Sequence, residues 1–94
     1  MDFKQIEAFV YVVRHKSFSK AADAIYLTQP TVSAHISSLE KEIGTKLIDR
    51  SSKEIVPTKA GKIFFEYALT LMNTRDEAIF SLSDFTKGLS GRID

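Results

Sequence analysis

Apolar residues recur at helical spacing over most of the chain. Ile6, Phe9, Val10 and Val13 stand at i, i+3, i+4 and i+7, which predicts an amphipathic helix over residues 2–14. His15-Lys16-Ser17 interrupts it. Ser17 is a good N-cap and opens a second helix of about two turns that carries Phe18, Ala21, Ala22 and Ile25 inward. Ala21-Ala22 suits a close helix crossing, because larger side chains would hold the two axes apart. Tyr26-Leu27 ends this helix. Thr28 caps the next one, and Pro30 lies in its first turn, where a missing N–H costs nothing. Val32, Ile36, Leu39 and Ile43 then form an apolar stripe up to Gly44, a suitable residue just past a helix end. The third helix is expected over residues 29–43.

After Gly44 the pattern changes. Leu47-Ile48 and Ile55-Val56 are short β-favouring pairs around a polar stretch from Asp49 to Glu54, which predicts a small hairpin with a basic tip. Pro57 is expected to stop the second strand. Thr58 caps a last helix over residues 59–87, a stretch without Pro and with Gly61 as its sole glycine, spanning roughly 40 Å. One apolar seam on it runs Phe65, Ala68, Met72, Arg75, Ile79, Leu82; another runs Phe64, Leu71, Ala78, Phe85. This broad face extends past anything residues 1–57 could cover, so the helix needs a partner. The expected fold is mostly α: three helices, a small β-hairpin and a long helix.

Composition narrows the chemistry. The 94 residues include no Cys and only 2 His. Disulfides, thiolate zinc sites, iron–sulfur ligands and Cys nucleophiles are excluded, and a His-built metal site is not expected. No Gly-rich phosphate loop or acid–base pair is evident, which argues against an enzyme. No apolar run approaches the ~18 residues that span a membrane. The start lacks a basic region ahead of an apolar core, so no signal peptide is expected and the chain is placed in the cytoplasm.

The net charge of +1 is an average of unlike parts. Residues 14–62 hold nine basic residues against five acidic ones, whereas residues 63–94 hold three against five. Between Asp23 and Glu40 there is no formal charge, so a helix in that window can approach a polyanion without repulsion.

Two short helices joined by a tight turn, the second capped and free of charge, have the layout of a helix-turn-helix. With Ile36 inward, Pro30, Ala34 and Ser37 point outward, Thr31 and Ser38 lie beside them, and Ser33 is on the flank. Small side chains let a helix sink into a major groove, and hydroxyls can meet base edges or phosphates. Gln29 is long enough to reach a base. A solvated surface would also be polar, but it usually carries Lys and Glu, which are stronger helix formers than Ser and Thr. The hairpin reads in parallel as a wing, with Arg50 and Lys53 near its tip facing phosphates or a minor groove, or as an exposed basic turn.

The run Phe18-Ser19-Lys20-Ala21-Ala22, through Thr28-Gln29-Pro30-Thr31-Val32-Ser33, to Ile36 and Leu39-Glu40 resembles the helix-turn-helix signature of LysR-type transcriptional regulators. Gly44, Leu47-Ile48-Asp49-Arg50 and Pro57-Thr58-Lys59-Ala60-Gly61 continue the match, and Ile6 with Phe9-Val10 fits the family's first helix. The resemblance implies a winged helix-turn-helix over residues 1–57, a dimerisation helix over 58–87, and the start of a hinge over 88–94 leading to an effector-binding domain that this chain lacks. A small-molecule effector would act only through that domain; no cofactor or metal is implied. DNA contacts would come from Thr28, Gln29, Pro30, Thr31, Ser33, Ala34, Ser37 and Ser38, with Lys20 nearby and Arg50 and Lys53 on the wing. Antiparallel pairing of two long helices would use Phe64, Phe65, Ala68, Leu71, Met72, Ala78, Ile79, Leu82 and Phe85. The implied partners are double-stranded DNA, on an interrupted inverted repeat, and a second copy of the chain; the implied location is the bacterial cytoplasm, at the nucleoid.

There are departures from the pattern. Many members carry Arg where this chain has Ala34, so shape and phosphate contacts are expected to carry more of the specificity. Ile48 replaces a commoner Phe, and Pro57 an aliphatic residue, which predicts a shorter second strand. The rival expectation is an interaction module in which the long helix is the functional part and the helical head merely caps it.

Overall fold

A computed structural model describes residues 1–51 and 53–86. The order is α1 (Phe3–His15), α2 (Phe18–Ala24), α3 (Gln29–Ile43), β1 (Ile48–Asp49), β2 (Val56–Pro57) and α4 (Lys59–Ser81). Each helix starts on the side chain that satisfies its free N–H groups. Asp2 and Gln5 form a reciprocal capping box on α1. Ser17, Thr28 and Thr58 accept from the backbone N–H of Lys20, Thr31 and Gly61. Helix α3 ends on Gly44 at φ 90, a left-handed position that glycine takes without a steric penalty.

Helix α1 is the hub and packs on α2, α3 and α4. Phe9, Val10, Val12, Ala21, Val32, Ile36 and Leu39 are sealed from solvent and form the centre of one core with Leu47 and Ala68. The Phe9 ring meets Phe64 at 5.4 Å and Phe65 at 6.3 Å between centroids, in tilted and edge-on geometries that suit aromatic pairs.

The hairpin is antiparallel with Ile48 opposite Pro57 and Asp49 opposite Val56. Both strands sit one residue later than the apolar pairs suggested, and Pro57 lies within the second strand instead of stopping it. The physical reason is the direction of the amides. The Thr58 N–H donates to the Leu47 carbonyl at 3.0 Å, so the neighbouring Pro57 nitrogen faces the open edge, where a donor is not needed.

Helix α4 is regular to Ser81, shorter than the expected 59–87. Leu82 has φ −95 and ψ −1, and its N–H is shared among the carbonyls of Ala78, Ile79 and Phe80. The Ser83 hydroxyl donates to the Phe80 carbonyl at 2.7 Å and the Thr86 hydroxyl to that of Leu82 at 3.2 Å. Such hydroxyls compete with the helix ladder for its acceptors. One further helical turn follows at residues 83–86. Lys87 and the expected hinge at 88–94 lie outside the described residues.

Candidate nucleic-acid interface

The core fixes which face of α3 is free. Val32, Ile36 and Leu39 are buried on α1 and α2, leaving Gln29, Pro30, Thr31, Ala34, Ser37 and Ser38 exposed and Ser33 partly exposed. The sequence-expected residues of this helix are therefore brought onto one surface. His35 is half-buried on its flank. The Thr28 and Thr31 hydroxyl oxygens lie 2.9 Å apart, and Thr28 also accepts from the Thr31 N–H. One hydroxyl hydrogen is used within that pair; the other remains available to an outside acceptor.

Lys20 is exposed on α2, and its backbone N–H donates to the Ser17 hydroxyl that caps the helix. Arg50 and Lys53 are exposed at the hairpin. The Arg50 guanidinium is not loose: its carbon stands 4.4 Å above the centroid of the Phe18 ring. The stack ties the wing to the first residue of α2. Ahead of it, the Asp49 carboxylate accepts from the Ser51 hydroxyl at 2.6 Å and the Ser51 N–H at 2.9 Å. Those two bonds, the hydroxyl's foremost, hold its pKa below the ordinary aspartate value.

Glu40 joins α3 to the wing, a role the sequence pattern did not expose. It is a buried charged residue, and its Oε2 accepts from the N–H groups of Leu47 at 2.8 Å and Ile48 at 3.1 Å. Lys46 Nζ stands 3.8 Å from its other oxygen. At the wing's other root, Thr58 donates to the Lys46 carbonyl at 2.7 Å, and a Cβ on Gly61 would lie 2.0 Å from the Leu47 carbonyl oxygen. Only glycine lets α4 approach the wing this closely. Wing, α3 and α4 are thus set by few contacts in one corner.

The long-helix residues divide. Ala68 is 0% exposed and is sealed within the chain, so it cannot meet a second copy. Phe64, Phe65 and Met72 are part-buried against the core of the head. All four were expected at a dimer interface; the head takes Ala68 entirely and covers one side of Phe64, Phe65 and Met72, which keep part of their surface open. Their spacing could not reveal this, because α4 carries apolar residues on more than one face. Leu71, Ala78, Ile79, Leu82 and Phe85 are exposed, as are Ile63, Tyr67 and Phe80, which the seams omitted. Ile63, Tyr67, Leu71, Ala78 and Leu82 fall within about 100° of arc, a stripe turned away from the head. Arg75, over the Phe3 ring at 5.3 Å, marks the end of the head's cover, and Ile79 beyond it is 64% exposed.

Among the described residues no group of three His, Cys, Asp or Glu could hold a metal ion, and no helix is long and apolar enough to cross a membrane.

The arrangement has close counterparts. Residues 3–62 match the family described as "Bacterial regulatory helix-turn-helix protein, lysR family". The chain is 38% identical over 90 residues to the HTH-type transcriptional regulator CitR of Bacillus subtilis (strain 168), covering 96% of this chain and 31% of that protein. It is 37% identical over 79 residues to BenM of Acinetobacter baylyi, covering 84% and 26%. The chain thus spans roughly a third or less of these relatives. Among solved structures, the BenM DNA-binding domain in complex with catB site 1 DNA superposes with a TM-score of 0.89 at 34% identity, covering 94% of this chain and 98% of that one. Vibrio fischeri DarR in complex with DNA superposes with a TM-score of 0.86 at 38% identity, covering 93% and 30%. With this match over most of its length, the chain belongs to the lysR family of bacterial regulatory helix-turn-helix proteins.

Proposed function

We propose that this chain binds double-stranded DNA sequence-specifically, as the DNA-binding part of a LysR-type transcriptional regulator, with α3 in the major groove. The carrying observation is the free face of α3. From Thr28 to Ser38 it offers short, uncharged side chains and one long amide, Gln29, at its N-terminal end. Such a face can sit deep in a groove, and Gln29 can pair with an adenine edge. The likeness to BenM and DarR domains solved on DNA supports the same use of the fold. Arg50, Lys53 and Lys20 flank α3 as phosphate contacts. Specificity rests on Gln29 and Ser33 for direct contact and on DNA shape where Ala34 offers no long donor. The role is binding, not catalysis.

Two such heads would be joined by antiparallel pairing of α4. The exposed stripe of Ile63, Tyr67, Leu71, Ala78 and Leu82, with Ile79 and Phe85 past the head, is apolar surface that such pairing would cover. A two-fold pair of heads would read an interrupted inverted repeat. A small-molecule effector would act through a further domain, for which the relatives' greater length leaves room. The setting of this work would be the bacterial cytoplasm, at the nucleoid.

Selection of bound duplexes from a random pool tests the proposal. It should return half-sites of related sequence in inverted orientation at fixed spacing, with affinity falling steeply as salt rises. Recovery of unrelated sequences, or binding indifferent to salt, would overturn it. The stripe on α4 also favours a second reading, an interaction module that does not read DNA. In that case changing Gln29 and Ser33 to Ala would leave any DNA binding unaltered.

A further inference from the structure

Tyr26 stands in the turn between α2 and α3 with its backbone at φ 57. Its N–H reaches the Asp23 carbonyl at 3.4 Å, and the following N–H, of Leu27, reaches the Ala22 carbonyl at 2.9 Å. This is how a helix closes through a left-handed residue, a position that Gly or Asn takes readily and a bulky side chain does not. Its side chain is also 94% exposed, the highest value among the described large hydrophobic residues. Two unfavourable choices therefore coincide: a ring at positive φ, and the same ring left in water. Folding gains from neither, and the turn lies in the head, away from the stripe on α4.

We infer that Tyr26 is a DNA-backbone contact whose phenolic hydroxyl donates to a phosphate on the wall of the groove that α3 enters. The inference rests on the proposal that α3 lies in that groove. Tyr26 lies three positions before Gln29, so their Cα atoms are at most roughly 10 Å apart. The major groove is about 12 Å wide and walled by phosphates. A residue tethered this closely to the end of α3 lies within reach of that wall, and the Tyr26 ring is open to solvent there. The phenol is a neutral donor on a side chain with few rotatable bonds, so little freedom is lost in fixing it. No carboxylate between Asp23 and Glu40 opposes an approaching phosphate. Lys20, exposed on α2, adds a positive charge to the helix that leads into this turn.

The test uses the 94-residue chain, a duplex recovered from a random pool by that chain, and an unrelated duplex of the same length. Tyr26→Phe removes only the hydroxyl. It should weaken binding to both duplexes by about five- to tenfold, the scale of one hydrogen bond. The slope of log affinity against log salt should not change, because a neutral donor displaces no counterion. Tyr26→Asn should weaken binding as well, through its shorter reach, while raising the midpoint of thermal unfolding by relieving the left-handed backbone. Equal affinity of the Phe variant and the parent on both duplexes overturns the inference, and so does a loss confined to the selected duplex. Failure of the parent chain to recover any duplex from the pool would instead remove the proposed function itself.

Discussion

The guanidinium carbon of Arg50 lies 4.4 Å above the ring centroid of Phe18, joining the wing to the start of α2. Phe18 belongs to the buried core, so the stack rests on the core instead of on another mobile side chain. The contact orients a charge that would otherwise sweep a wide volume. Arg50→Lys keeps the charge but loses the planar group that stacks and forks. We expect it to weaken DNA binding about two- to fivefold at unchanged salt slope, matching a cation–π contact of ~0.5–1 kcal/mol at an exposed site. Arg50→Ala should reduce the slope itself by about one. Anisotropy titrations at several salt concentrations read both.

Glu40 answers for two buried backbone donors, those of Leu47 and Ile48. Glu40→Ala leaves both N–H groups without a partner, at about 1–3 kcal/mol for each buried group left unpaired. Glu40→Gln retains an acceptor oxygen and should cost less. Urea unfolding should rank the parent above Gln and Gln above Ala in midpoint, with unchanged slopes against denaturant. Equal midpoints would mean that these donors find other partners.

Gly61 is the close approach between α4 and the wing. A Cβ there would sit 2.0 Å from the Leu47 carbonyl oxygen, a backbone atom that cannot turn aside. Gly61→Ala must push α4 away from β1. It should lower stability by about 1–3 kcal/mol, in spite of alanine's better helix propensity, because overpacking outweighs propensity at such a site. Thermal melts supply the measurement, and a stabilised alanine variant would contradict the contact.

What the sequence could disclose depended on how local its cause was. The bounds of α3 were readable because Thr28, Pro30 and Gly44 each punctuate the chain by their own backbone chemistry. The hairpin was readable in kind but slipped by one residue. A two-residue strand has no period, and its register is set by the Thr58 N–H and the approach at Gly61. The outward face of α3 followed from its apolar stripe. The stacking of Arg50 on Phe18 and the capture of Leu47 and Ile48 by Glu40 join segments apart in sequence, so no spacing encoded them. The seams on α4 mix inner and outer residues for a related reason. Apolar residues at three- and four-residue steps look alike whether they face this chain's own head or open solvent, and only the position of Phe9 separates Phe64 and Phe65 from Leu71.

Asp49 gives the wing a defined acid response. Its carboxyl is held below the ordinary aspartate value by the Ser51 hydroxyl and then the Ser51 N–H. A folded value below the unfolded one means a contribution present above the unfolded pKa and lost as pH falls through the folded pKa. The wing turn should therefore be unaltered at neutral pH and loosen only in acid, below about pH 4. The Ser51 amide resonance should titrate there, and Asp49→Asn should abolish the titration.

The division of α4 into inner and outer faces separates two kinds of substitution. Ala68 is sealed in the core, so Ala68→Leu should disturb the fold itself, lowering the unfolding midpoint through overpacking of about 1–3 kcal/mol. Leu71 and Ile79 are exposed, and a charge there costs the isolated chain little. If two copies pair through this surface, Leu71→Glu together with Ile79→Glu places like charges in an apolar contact and should shift sedimentation from dimer to monomer. Each head should remain folded by circular dichroism, yet lose most of its affinity for an inverted repeat. Binding to a single half-site should be nearly unchanged, because linking two heads raises affinity only where both can engage at once. A double variant that still sediments as a dimer would place the interface elsewhere on the chain.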